Sequence, residues 1–235
     1  MKAVILAGGK GTRLKPYTNV LPKPLMPIGD KPILEIIIRQ LGAQGLRDII
    51  ISVGPLGELI MTFFGDGSQF GVNIKYSKED EPLGTAGGLG LIRKELRDTF
   101  IMVNGDTLTT LNFSELINYH KTSDAIATIA LKKRDVYIDF GIVELGDNNA
   151  IKGYTEKPTI YYLVSMGVYV FEPRVMEYIR PGEKLDFPDL VKTLISKHEK
   201  VNGFVFDGYW LDIGRPADYE KANEEIEELS KLLNT

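Results

Sequence analysis

Short apolar runs alternate with amphipathic stretches through the first hundred residues, and this rhythm restricts the fold more than any other feature of the chain. Val4–Leu6, Asp48–Val53, Val72–Tyr76 and Thr99–Val103 read as strands. The first two lack the polar alternation of a half-solvated strand, so both of their faces are expected to be buried. Between the strands, Pro32–Leu41 (with Asp30 near its cap), Gly57–Phe64 and Ala86–Leu96 read as helices. A β-α-β-α order of this kind implies an α/β fold, with a mostly parallel sheet and helices on both faces.

The second half has a different texture. Ser114–His120 reads as a helix and Ala125–Leu131 as a strand, and 140–144, 150–155 and 161–171 are strand-like segments separated by Gly and Asn. Lys192–Lys197 and Asp218–Leu233 read as helices, the last one rich in Glu and Lys. No internal repeat, linker or charge block divides the chain. The economical reading of 235 residues is one domain, 1–235, in two lobes, about 1–110 and about 111–235.

Composition removes several classes of function. The net charge is −4, which supplies no basic footprint for nucleic acid. The chain has no cysteine, so disulfides, thiolate metal sites and a cysteine nucleophile are excluded; a reducing, cytoplasmic setting is expected. With two histidines, His120 and His198, neither a histidine-rich metal site nor a conventional catalytic triad is expected. No run of apolar residues is long enough to span a membrane. Lys2 followed by Ala3–Ala7 resembles the start of a secretory signal, but Gly8, Gly9 and Gly11 end the apolar run early. A buried first strand is the simpler reading.

That strand runs directly into Leu6-Ala7-Gly8-Gly9-Lys10-Gly11-Thr12-Arg13-Leu14. Glycines leave backbone N–H groups open to an anion and allow close approach, and Lys10 and Arg13 add positive charge. Open α/β sheets bind ligands beyond the carboxyl ends of their strands, where this loop falls. It is not a Walker A loop, because Lys10 sits between glycines with no Gly-Lys-Ser/Thr at the required spacing. Nor is it a dinucleotide fingerprint, because Leu14 stands where the third glycine belongs. No acidic residue sits where a second strand would present one to a nicotinamide nucleotide. Taken alone, the loop favours an anion site over a plain connecting turn, without excluding the turn.

The longer pattern is more specific. The glycine loop is followed by Leu21-Pro22-Lys23-Pro24-Leu25-Met26-Pro27, Glu81-Pro82-Leu83-Gly84-Thr85-Ala86-Gly87, Asn104-Gly105-Asp106, Glu156-Lys157-Pro158 and Trp210-Leu211-Asp212-Ile213-Gly214. This ordered set resembles the sugar-1-phosphate nucleotidylyltransferases over essentially the whole chain. The resemblance implies their Rossmann-like, nucleotide-diphospho-sugar transferase fold, without the C-terminal β-helix that many members carry. It also implies their reaction, in which a sugar 1-phosphate oxygen attacks the α-phosphorus of a nucleoside triphosphate and pyrophosphate leaves. A phosphate monoester is already largely ionised, with a second pKa near ~6, so no general base is required. The work is positioning and charge neutralisation.

The resemblance also assigns roles. Asp106 and Asp212 hold Mg²⁺, a hard cation suited to carboxylate and phosphate oxygens, although Asp106 alone reads as a turn or cap residue. Arg13 and Lys23 act on the phosphates at the reacting centre, whereas Lys10 and Lys15 read as ordinary solvated lysines. Leu6, Ala7, Gly8, Gly9, Gly11, Thr12, Glu81, Gly84 and Thr85 line the nucleotide, and Gly141, Glu156, Lys157 and Ser165 the sugar phosphate. Ser165 stands where many members have asparagine, a departure that weakens any choice of sugar. Trp210, Tyr161, Tyr162 and Tyr169 read as core packing at strand spacing.

An ionised carboxylate only accepts hydrogen bonds. Facing a base, Glu81 would suit the adjacent N1–H and N2 amino donors of guanine better than the carbonyl-flanked N–H of uracil. GTP with mannose 1-phosphate or a manno-heptose 1-phosphate is therefore the expected pairing. UTP, dTTP or CTP with a glucose-type or amino-sugar phosphate is the alternative, since relatives with a similar segment use uridine and Glu81 could serve structure or the ribose. A non-catalytic nucleotide-sugar sensor is a further alternative, one that would not require Arg13, Lys23, Asp106 and Asp212 together. The partners expected are small molecules, with neither nucleic acid nor membrane, and self-association is left open.

Overall fold

A computed structural model describes residues 1–9 and 11–228. Its strands are β1 Lys2–Ala7, β2 Pro27–Ile28, β3 Lys31–Pro32, β4 Asp48–Val53, β5 Asn73–Lys78, β6 Phe100–Asn104 and β7 Thr107–Thr109. They continue with β8 Ala127–Tyr137, β9 Ile142–Leu145, β10 Ile151–Thr155, β11 Thr159–Phe171, β12 Val201–Phe206 and β13 Trp210–Asp212. The α-helices are α1 Ile33–Ala43, α2 Gly57–Phe64, α3 Gly84–Gly87, α4 Phe113–Lys121, α5 Phe187–Ser196 and α6 Pro216–Glu224.

Seven strands form one sheet in the order β12-β8-β11-β6-β1-β4-β5. The quartet β6-β1-β4-β5 is parallel. β11 runs antiparallel to both β6 and β8, and β12 is parallel to β8. The sheet is thus mixed and mostly parallel in its first half. It is continuous across both halves of the chain, because β11 pairs directly with β6.

The side-chain alternation of a strand explains the two layers of core. Ala3, Ile5 and Ala7 of β1 enter one apolar cluster, while Val4 enters the other. On the first face α1 buries Ile33, Leu34, Ile37 and Leu41 at helical spacing. On the second, α5 buries Phe187, Leu190 and Leu194. Each such side chain contributes roughly 1.5–3 kcal/mol on burial, so the carboxyl-edge loops rest on a heavily anchored scaffold.

Several local expectations are corrected. Asp30 does not cap α1; Pro32 is the N-cap, and Asp30 is exposed, 3.1 Å from Lys31. The segment Ala86–Leu96 is one turn of α-helix followed by a 3-10 stretch, Gly88–Glu95, because its glycines disfavour a regular helix. The helix expected at Lys192–Lys197 begins earlier, at Phe187, with Pro188 in its first turn. α6 ends at Glu224, and the expected helix beyond residue 228 lies outside the described residues. Tyr169 is buried, but Tyr161 and Tyr162 are 59% and 53% exposed and do not belong to the core. They lie where β8 and β11 extend as a ribbon, from Tyr137↔Thr159 inward, with the β9–β10 hairpin beyond.

Candidate active site

The site is built where β1, β4, β5 and β6 end. The loops after β1 and β4 touch: a Cβ added at Gly54 would lie 2.7 Å from the Gly8 carbonyl oxygen. Gly11 adopts φ +59°, where a Cβ would also meet Thr18 at 2.8 Å. Thr18 fixes this turn by donating its hydroxyl to the Gly11 carbonyl at 2.8 Å. Gly8 and Gly9 are shared by the lining of two cavities, of about 310 and 560 Å³. Ala7 lines the smaller and Leu6 the larger. Thr12 and Arg13 lie in a short 3-10 turn and are exposed. Lys10 lies outside the described residues.

Asp106 and Asp212 come together through a ladder that crosses the chain. β7 pairs antiparallel with β13, placing Thr107 opposite Asp212, and the Ile213 N–H donates to the Asp106 carbonyl at 3.0 Å. Lys23, buried in the turn between Pro22 and Pro24, donates its ammonium to Asp106 Oδ2. Arg13 reaches the same place, since its Nη2 is 3.3 Å from where a Gly214 Cβ would stand, as is Asp212 Oδ1. Two acids and two bases thus form one cluster at the edge of the glycine loop.

The charges in this cluster are unequally satisfied. Asp212 Oδ1 is buried and has no hydrogen-bond partner. Burial, and then the neighbouring Asp106 carboxylate, push the Asp212 carboxyl above its ordinary value, against the opposing pull of Lys23 and Arg13. An unsatisfied buried acceptor costs about 1–3 kcal/mol. A hard divalent cation between the two carboxylates would remove that cost, with its remaining positions open to phosphate oxygens and water. Among the described residues no group of three or more His, Cys, Asp or Glu could hold a metal by itself. The donor set therefore fits a cation that is shared with an anionic substrate.

The other wall departs from the sequence reading. Glu81 is exposed and does not line either cavity. Glu79 lines the larger one and is 8% exposed. Its carboxylate accepts the Ser52 hydroxyl at 2.7 Å and the Leu83 N–H at 3.0 Å. A Cβ on Gly88 would come within 2.5 Å of Glu79 Oε1, so a glycine there makes room for the carboxylate. Gly84 and Thr85 line this cavity too, but the Thr85 N–H and hydroxyl oxygen are bonded to Asp186 and Phe187.

Neither cavity is lined by Gly141, Glu156, Lys157 or Ser165. Lys157 is paired with Asp139 at 3.3 Å. Glu156 accepts from the Tyr154 hydroxyl at 3.1 Å, and Gly141 faces that same tyrosine. Ser165 donates to Tyr169 at 2.9 Å. Trp210 is half-buried rather than simple core: its indole N–H donates to the Met166 carbonyl at 2.9 Å, and Arg134 stands 5.7 Å from its ring centre. No helix among the described residues is long and apolar enough to cross a membrane.

Glycine turns and a cation–carboxylate cluster thus stand together at the carboxyl edge of a mixed α/β sheet, where open α/β folds bind their ligands. Residues 2–229 match the Nucleotidyl transferase family model, and the chain belongs to that family. It is 37% identical to the D-glycero-alpha-D-manno-heptose 1-phosphate guanylyltransferase of Aneurinibacillus thermoaerophilus, over 97% of this chain and 99% of the relative. It is 37% identical to the UTP–glucose-1-phosphate uridylyltransferase of a Synechocystis strain, over 94% of this chain. It is 38% identical to the mannose-1-phosphate guanyltransferase of Yarrowia lipolytica, over 93%. The chain spans 62% of the length of each of these last two. Among solved structures, HddC from Yersinia pseudotuberculosis complexed with GMP-PN superposes with a TM-score of 0.74 at 28% identity. That match covers 96% of this chain and 99% of the other.

Proposed function

We propose that the chain transfers a nucleotidyl group from a nucleoside triphosphate to a sugar 1-phosphate. A phosphate oxygen of the sugar bonds to the α-phosphorus, the bond from that phosphorus to the bridging oxygen breaks, and pyrophosphate departs with the electron pair. No proton transfer is needed, which agrees with a site free of histidine. The observation that carries this reading is the Asp106–Asp212 pair, with one buried oxygen unsatisfied, set against Lys23, Arg13 and the glycine loop.

In this reading Gly8, Gly9 and Gly11 receive the triphosphate through backbone N–H groups. Arg13 neutralises the departing pyrophosphate with its planar fork, and Lys23 turns from Asp106 to the reacting phosphates. Asp106 and Asp212 would hold a divalent cation, Mg²⁺ by its preference for oxygen ligands and retained water, which supplies charge neutralisation between the two anions. Glu156, Lys157, Gly141 and Ser165 belong to the ribbon side of the site and would meet the sugar phosphate.

The nucleotide is assigned as GTP and the sugar as mannose 1-phosphate or a manno-heptose 1-phosphate. A buried carboxylate in the larger cavity supports guanine, with Glu79 taking the part expected of Glu81. The guanylyltransferase relatives support the same choice. The Synechocystis relative favours UTP with a glucose-type phosphate as the second reading. Pyrophosphate release over a matrix of nucleoside triphosphates and sugar 1-phosphates, with and without Mg²⁺, decides between them. The expected result is fastest turnover with GTP and a manno-configured phosphate, and none without a divalent cation; no release in any combination would refute the reading.

A further inference from the structure

The glycine-rich turn at 83–90 is shaped around a segment from much later in the chain. The Leu185 N–H donates to the Leu83 carbonyl at 2.9 Å, and the Leu185 carbonyl accepts from Ala86 and Gly87 at 2.9 and 3.0 Å. Thr85 N–H donates to the Asp186 carboxylate at 3.2 Å, and Phe187 N–H donates to the Thr85 hydroxyl oxygen at 2.7 Å. A Cβ at Gly84 would sit 2.6 Å from the Leu185 carbonyl oxygen, and one at Gly87 2.5 Å from that of Glu183. Gly84, which reads as a nucleotide contact, therefore also admits this segment, and Gly87 does the same beside it.

The interlock carries Lys184 to the wall of the larger cavity, which it lines together with Glu79, Asn104 and Asp106. Its neighbour Glu183 is engaged by Arg180 at 3.4 Å, whereas Lys184 has no ion pair or hydrogen-bond partner among the described residues. A cation without an internal partner, held at a cavity wall by backbone hydrogen bonds on both sides, is placed to meet a ligand.

Two observations decide which part of the ligand. Lys23 and Arg13 already supply positive charge at the Asp106 end of the site. The neighbour of Lys184 is instead tied to Glu79 through a short relay: Glu79 accepts from Leu83 N–H, and the Leu83 carbonyl accepts from Leu185 N–H. Glu79 follows β5 and Asp106 follows β6, with β4 and β1 between them. Three interstrand steps span on the order of 14 Å, the scale of a nucleoside from its base to its phosphate.

We propose that Lys184 determines base specificity by donating to the O6 and N7 acceptors of guanine. This rests on the nucleotidyl-transfer reading with GTP. Guanine offers donors at N1 and N2 for a carboxylate such as Glu79, and acceptors at O6 and N7 for a cation; a Lys or Arg on O6/N7 is the commonest specific contact when proteins read guanine in the major groove of DNA, and the same edge is open on a free nucleotide.

The test measures nucleotide binding by titration calorimetry to wild type, Lys184→Met and Lys184→Arg, with pyrophosphate release in parallel. The ligands are GTP, 2-aminopurine riboside triphosphate (which lacks O6) and UTP. Lys184→Met is expected to weaken GTP binding about tenfold, within the range of a specific base contact, to raise KM for GTP and to leave kcat near wild type. Lys184→Arg is expected to restore most of the affinity. The 2-aminopurine analogue is expected to bind wild type and Lys184→Met much more nearly alike than GTP does. Unchanged GTP binding in Lys184→Met overturns the proposal, and so does an equal loss for all three ligands, which would place the lysine on phosphate. Wild type that turns over UTP but not GTP also overturns it while leaving nucleotidyl transfer intact. Wild type that turns over no triphosphate overturns the underlying reading, and this proposal with it.

Discussion

Asp106 and Asp212 stand side by side because the strand that ends in Asp212 is paired with the strand that begins after Asp106: Thr107 faces Asp212, and Ile213 donates to the Asp106 carbonyl. The ladder is only three residues long on each side. It brings two like charges together in a partly desolvated place, an arrangement that opposes folding and favours the capture of positive charge.

Asp212→Asn tests this conflict directly. The folded carboxyl is raised above the unfolded value, so the folded state binds protons more readily, and ionising Asp212 at neutral pH costs stability. That cost is fully present above the raised value and is relieved as pH falls through it. Asp212→Asn is therefore expected to melt above wild type at pH 7.5, by about 2–4 °C per kcal/mol relieved, with the advantage shrinking in acid. Added Mg²⁺ should raise the melting temperature of wild type and not that of the variant. Turnover should fall by at least ~10²-fold, as for other lost transition-state electrostatics. Thermal melts at two pH values, with and without the cation, check each part.

Lys23 pairs with Asp106 and, in the proposed reaction, would also face the phosphates; one substitution separates the two. Lys23→Ala leaves Asp106 without its partner and would remove that charge from the reacting centre. The expected loss in kcat is about 10²–10³-fold, with a lower melting temperature before any substrate is added. Lys23→Arg keeps the charge but not the compact ammonium, and should recover stability more fully than turnover. Steady-state kinetics beside thermal melts distinguishes the two effects; near-normal kcat for Lys23→Ala would contradict the assignment.

Glu79 and Glu81 provide a contrast within three residues. Glu79→Ala orphans the Ser52 hydroxyl and the Leu83 N–H, a loss of about 1–3 kcal/mol, and should weaken GTP binding at least tenfold. Glu81→Ala changes an exposed side chain and should stay within about 0.5 kcal/mol of wild type, with unchanged nucleotide affinity. Denaturant unfolding and nucleotide titration of both variants settle which glutamate serves the cavity.

His120 makes stability fall in mild acid. It is 1% exposed and lies between Thr128 at 2.7 Å and Glu172 at 3.1 Å. Burial lowers its pKa below the ordinary 6.5, although Glu172 pulls the other way. The unfolded chain then takes up the proton first, so this contribution is fully present above about 6.5 and is lost as pH drops toward the lowered folded value. His120→Gln, which cannot take up that proton, should show a shallower decline in unfolding free energy between pH 7.5 and 5.5. Parallel slopes in urea titrations of the two proteins would count against it.

Much of this architecture was legible where a single element supplies its own signal. β4 and α2 fall residue for residue where the apolar run Asp48–Val53 and the segment Gly57–Phe64 indicated. The glycine loop was placed correctly beyond β1, since a buried strand followed by glycines has few other uses. The β7–β13 ladder was not legible: three-residue strands carry no periodicity, and their pairing depends on the whole sheet being formed. That Glu79 rather than Glu81 lines the larger cavity follows from burial in the folded sheet: Ser77 is buried, Lys78 is exposed, and Glu79 continues that alternation inward. Lys184 gave no local signal at all, because its position is set by hydrogen bonds to residues about a hundred positions earlier.

The late arrival of Asp212 has a bearing on synthesis. α6 seals the far end against the first segments, with the Tyr219 hydroxyl donating to the Pro27 carbonyl at 2.8 Å and Asn223 accepting from Gly29 at 3.0 Å. A polypeptide still emerging from the ribosome can present the glycine loop, Lys23 and Asp106, yet it lacks the second acid until residue 212 has been added. Copies that stop short of residue 212 therefore have no acid pair, and the cluster is completed in one step when β13 pairs with β7.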